Sequence, residues 1–180
     1  MKNKPKPERR LIEIRAVDNE EEKMLIEGYA IMYDQPATHQ YGQRKFTETI
    51  KPGALDKTDM RDVPLRYNHN DNVMIMARTR NKSLKLIREE KGLKIQAVLL
   101  DTQSNRDLYK AIQEGLIDKM SFAFTVADGG DSWTFGDDET RRDVNDIDKL
   151  WDVSVVDTPF YDSTSIYARS LELLESEEKR

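Results

Sequence analysis

The sequence predicts a mainly β protein, an antiparallel barrel crossed by a few helices. Seven or more stretches alternate apolar and polar residues, against one good helical pattern. Polar or glycine-containing turns separate these stretches, and neither an internal repeat nor a linker divides the 180 residues. With 37% apolar and 35% charged residues, the expected core is modest and the surface heavily charged. One domain over 11–169 is therefore expected. A basic tail (1–10) precedes it, and an acidic tail over 170–180, with a narrow leucine stripe that reads as helical, follows it.

Leu11 to Val17 and Met24 to Tyr33 read as two strands joined by the polar turn 18–23. Gly28, inside the second, marks a bulge or a close backbone approach. Asp34 to Arg44, which contains His39, reads as a loop. Pro52 and Gly53 mark a turn before a short helix. Val63, Leu65 and Tyr67 alternate, and His69 continues their face at the strand's end, among the turn residues Asn68, Asn70 and Asp71. Val73 to Arg78, Ser83 to Glu89 and Leu93 to Leu100 read as three more strands, with a turn at Gly92 that favours positive φ. Ser104 and Asp107 have capping-box spacing, Leu108, Ala111 and Ile112 form a helical stripe, and Gly115 closes the helix.

That helix leads into the stretch on which the functional argument turns. Met120, Phe122, Phe124 and Val126 form a bulky apolar face, whereas Ser121, Ala123 and Thr125 form a small, weakly polar one. Ser121 is thus expected on a firm strand facing a space, a suitable place for a nucleophile, although a half-buried strand serine is the commoner meaning of such a residue. Asp128 to Asp138 reads as a mobile loop; its acidic spacing does not fit a calcium loop. Lys149 to Val156 is strongly strand-like, with Asp152 sharing a face with Leu150, Ser154 and Val156. A carboxylate there requires either water or a positive partner. Pro159 ends the run, and a last short strand is expected within Tyr161 to Arg169.

Composition narrows the chemistry. The net charge of -5, from 29 basic and 34 acidic residues, argues against general nucleic-acid binding. The absence of cysteine removes disulfides, thiol nucleophiles and cysteine metal sites together. With only two histidines, a zinc hydrolase is not expected. No apolar run is long enough for a signal peptide or membrane span, so a soluble, cytoplasmic chain is expected. Ser121, His69 and Asp152 are the residue types that hydroxyl nucleophilic catalysis requires: a hydroxyl, an imidazole to take its proton and a carboxylate to hold the imidazole.

Several ordered landmarks sharpen this reading. They are Glu27-Gly-Tyr-Ala30, Pro52-Gly-Ala-Leu55, the histidine of Tyr67-Asn-His-Asn70 and Glu90-Lys-Gly-Leu93. Gly115-Leu-Ile-Asp-Lys-Met-Ser-Phe-Ala-Phe124 follows, then Leu150-Trp-Asp-Val-Ser-Val-Val156 with Pro159. Together they cover most of 11–169, and the set resembles the prohead (capsid maturation) serine proteases of tailed bacteriophages. The resemblance implies a closed antiparallel β-barrel similar to herpesvirus assemblin, with Ser121 as nucleophile and His69 as base. Asp152 takes the third position, where the family pattern usually has Glu. The chain also departs from that pattern at Asn70, where an acidic residue often stands, and at Phe160, where a small one does.

By the same resemblance the protein is a serine endopeptidase of the immature phage head in the host cytoplasm. Its substrates would be the scaffold protein, the major capsid protein's temporary segment and the protease itself. No cofactor, membrane or specific nucleic acid is implied, and a homodimer is expected by analogy with the herpesvirus enzymes. The rival from another class is a catalytically inactive barrel that serves as a head-assembly or scaffold-binding module. A nucleic-acid-binding barrel, resting on the basic amino terminus, would show salt-sensitive binding.

Overall fold

The computed structural model describes residues 8–17, 23–41, 44–136 and 139–157. They form β1 (Glu8–Val17), β2 (Leu25–Met32), β3 (Ala37–Tyr41), β4 (Arg44–Ile50), β5 (Pro64–Tyr67), β6 (Ala77–Arg78), β7 (Leu84–Glu89) and β8 (Gly92–Val98). The helix α1 (Gln103–Gln113) is followed by β9 (Lys119–Val126), β10 (Asp131–Phe135), β11 (Thr140–Val144) and β12 (Ile147–Val156). The two expected tails and the expected strand within 161–169 lie wholly or largely outside the described residues, as does most of the turn 18–23.

Eight strands form one sheet in the order β6-β5-β12-β9-β1-β2-β8-β7. Its two edge strands, β6 and β7, are neighbours in the chain, so the five-residue turn 79–83 ties the edges together. Ser83 anchors that turn, accepting from Arg78 N at 2.9 Å through its hydroxyl and from Val98 N at 2.9 Å through its carbonyl. The sheet is thus nearly closed into a barrel with a seam, and a sheet curled on itself exposes little unpaired edge. Ile26, Ile31, Leu65, Leu93, Ile95, Met120, Phe122, Phe124, Leu150, Val153 and Val155 fill the interior with almost no exposure. Phe122 and Phe124 stack at 5.4 Å.

β1 changes partner along its length, pairing with β9 through Glu13 and with β2 from Ile14. Gly28 stands at that changeover. A Cβ there would come within 2.5 Å of the Glu13 carbonyl oxygen, so only glycine permits the approach; the register shift in β2 falls two residues on, around Ala30.

A second sheet, β10-β11-β4-β3, lies outside the barrel order and is fixed by a buried ion cluster. Arg142 is fully buried and donates to Glu48 at 2.9 Å and Asp131 at 2.7 Å. Its guanidinium lies 5.4 Å from the Trp133 ring centre. Removing the cation would strand the Glu48 carboxylate out of water and leave the half-buried Asp131 without its partner. Arg142→Ala is expected to cost about 3–5 kcal/mol, seen as a lower urea midpoint; an unchanged midpoint would mean the carboxylates are solvated.

The structure corrects several local expectations. The stretch Asp34 to Arg44 contains β3, a polar strand held by pairing with β4. His39 lies on it, 5.2 Å from the Phe46 ring. Asp128 to Asp138 is not simply a loop: β10 pairs with β11 in a hairpin that its Asp, Ser and Thr residues do not announce. After Pro52 the chain makes successive turns rather than a helix, with Ala54 N bonded to Lys51 O and Asp56 N to Gly53 O. Only Ala77–Arg78 of the expected strand from Val73 is paired. The helix begins two residues earlier than expected, capped by Thr102, whose hydroxyl accepts from Asn105 N. Gly115, at φ +69, ends it as expected.

Candidate active site

β9 is central in the barrel sheet, with β1 on one side and β12 on the other. Met120, Phe122 and Phe124 point into the core, which leaves Ser121, Ala123 and Thr125 on the opposite face. The alternation expected from sequence is therefore present, but the space expected over Ser121 is not. Ser121 is 3% exposed, Ala123 1% and Thr125 2%. Small side chains admit close packing over a face as readily as they leave a groove.

His69 does not continue the face of β5. The chain turns at once, with Asn68 and His69 both at φ 52 and Asn70 N bonded to Tyr67 O at 3.0 Å. Two consecutive positive φ values are those of a type I′ turn. Asn adopts this conformation readily; for His it costs on the order of 1 kcal/mol. Contacts to β12 hold the strained turn: Asn68 N donates to Val155 O at 2.9 Å and His69 N to Ser154 Oγ at 3.2 Å. Tyr67 adds a clamp by donating its hydroxyl to Asp157 at 2.5 Å. That bond, together with burial, raises the phenol's pKa above its ordinary value.

Asp152 reaches His69 because β12 is bulged. The register steps from Leu150 opposite Phe124 directly to Asp152 opposite Ala123. The extra residue, Trp151, reverses the alternation, so Leu150 faces the core whereas Asp152 and Ser154 share the outer face with Ala123 and Ser121. The expectation that Asp152 shares a face with Leu150 is corrected on this ground. Trp151 donates from its indole to Thr125 Oγ1 at 3.3 Å, beneath the Lys149 ammonium at 4.0 Å from its ring centre.

The strand carboxylate is met by the His69 imidazole, which serves as its hydrogen-bond donor. His69 Nδ1 and Asp152 Oδ1 are 2.5 Å apart, with the His69 side chain 3% exposed and that of Asp152 12%. A carboxylate acceptor places the proton on Nδ1 and leaves Nε2 with its lone pair. Nε2 is buried and has no hydrogen-bond partner among the described residues. Ser121 therefore does not bond to it in this conformation, although it lies directly across from Ser154 in the β9–β12 ladder. Directly opposed residues have Cα atoms about 5 Å apart and side chains on one face. His69, Asp152 and Ser121 are thus gathered on one side of the sheet, the first two in direct contact. Among the described residues, no group of three or more His, Cys, Asp or Glu side chains is placed to hold a metal ion.

The family model for caudovirus prohead serine proteases matches residues 10–177. The chain belongs to this family. No curated protein and no solved structure matches it. The matched stretch of this prohead serine protease contains Ser121, His69 and Asp152. It also contains Ser154, which sequence reasoning left without a role. The available signal was a serine two residues after Asp152 on one strand face, in an otherwise apolar run. Among the protease's described residues, no helix is long and apolar enough to cross a membrane.

Proposed function

We propose that this prohead serine protease is an endopeptidase that cuts scaffold and capsid-protein segments, and its own chain, inside the immature phage head in the host cytoplasm. One observation carries the residue assignment: a His69–Asp152 pair leaves an unpartnered Nε2 on the sheet face that holds Ser121.

His69 Nε2 takes the Ser121 hydroxyl proton as Oγ attacks the scissile carbonyl carbon, and Asp152 stabilises the imidazolium that forms. The protonated Nε2 then gives its proton to the leaving amine, the C–N bond breaks, and Ser121 carries the acyl group. Water, deprotonated by the same nitrogen, attacks the ester, releases the new carboxylate terminus and restores the serine. No step calls for a metal or cofactor. A rotation of the Ser121 side chain toward Nε2 and exposure of this buried face both belong to substrate binding, since apo hydrogen bonds in such sites are often incomplete.

Burial of Ser121 and its missing bond to His69 are what the rival reading, an inert assembly module, would also show. Co-expression with the capsid and scaffold proteins distinguishes the two. The parent chain should yield processed bands and Ser121→Ala only full-length ones; identical patterns would favour the inert module.

A further inference from the structure

The geometry points to Ser154 as a positioning residue that fixes His69 and Asp152 together, acting through them rather than on substrate. Resting on the proposed roles of that pair, this adds a fourth member that the hydroxyl–imidazole–carboxylate scheme does not include.

Ser154 is fully buried, and its hydroxyl meets three groups at once. It donates to Asp152 Oδ1 at 2.9 Å, accepts from the His69 backbone N at 3.2 Å, and lies 3.1 Å from His69 Nδ1. One hydroxyl supplies one donor and two acceptor positions, so all three are used. The donor holds the same carboxylate oxygen that receives the Nδ1 proton. The acceptors hold the His69 backbone in its positive-φ turn and share the Nδ1 proton with Asp152. Ser154 cannot serve as the attacking hydroxyl in this arrangement, because its proton goes to Asp152 and it contacts Nδ1 rather than Nε2. It is instead the cross-strand neighbour of Ser121, which places the anchor for the base beside the nucleophile.

Two readouts on the full chain test this, and one needs no turnover. The chain has two histidines, so ¹⁵N-histidine labelling gives two imidazoles, and His39→Gln assigns them. The parent protein should show His69 as a single Nδ1–H tautomer with a far-downfield proton. In Ser154→Ala that proton should broaden or vanish while the circular dichroism spectrum stays that of the parent. Ser154→Thr, which keeps the hydroxyl, should restore it. In cleavage assays Ser154→Ala should lose about a hundredfold in kcat with KM little changed, the size of effect that slight misplacement produces. An unchanged His69 spectrum in folded Ser154→Ala would overturn the role. So would kcat losses equal in the Ala and Thr variants. If the parent shows no Ser121-dependent cleavage, the protease reading fails, while the spectra still decide whether Ser154 positions the pair.

Discussion

Ser121→Ala should leave a folded protein that no longer cleaves capsid or scaffold protein. The expected loss in kcat is on the order of 10⁶, the scale seen when a hydroxyl nucleophile is removed. Fold should survive, because the change deletes one oxygen from a face already lined by Ala123 and Thr125, and no core contact of Met120 or Phe122 is touched. Near-equal thermal midpoints with processing absent would separate lost chemistry from lost structure. Processing that continues in the variant would exclude this hydroxyl as the nucleophile.

Asp152→Asn is expected to lower kcat by about 10⁴. The amide keeps the carboxylate's shape but changes what it offers His69. It can present its NH₂ to Nδ1, which moves the imidazole proton to Nε2 and removes the lone pair that should accept the Ser121 proton. It also cannot stabilise an imidazolium as a charge does. KM should change little, since neither effect requires contact with substrate. Asp152→Glu provides the contrast. It restores a carboxylate one methylene longer and should keep turnover well above that of the Asn variant. Equal losses in both would mean that a negative charge at this position is not what the site uses.

The sequence disclosed the parts of this arrangement that depend on local pattern. Alternation placed Ser121 opposite Phe122 and Phe124, and the costly carboxylate at Asp152 called for either water or a partner; the structure places His69 there. What it could not disclose depends on pairing between distant strands. The bulge at Trp151 turns Asp152 away from Leu150's face, yet Leu150 to Val156 reads as unbroken alternation because a bulge is recorded in the register with β9 rather than in residue type. The turn was legible in Asn68, Asn70 and Asp71, but His69 read as continuing the strand's face because its positive φ, held by bonds to β12, leaves no mark in residue type. β3 and β10 were missed for a different reason: each is an arm of a local hairpin, with 44–50 and 140–144 as partners, whose polar residues read as loop. The burial of Ser121 was also hidden, since small side chains are compatible with either a groove or a covered face.

Peptide-level mass spectrometry after treatment with a fluorophosphonate probe tests most directly whether Ser121 is activated by His69. The expected adduct is on Ser121, with Ser154 unmodified and labelling lost in His69→Ala. An adduct on Ser154, or labelling of Ser121 that persists without His69, would contradict it.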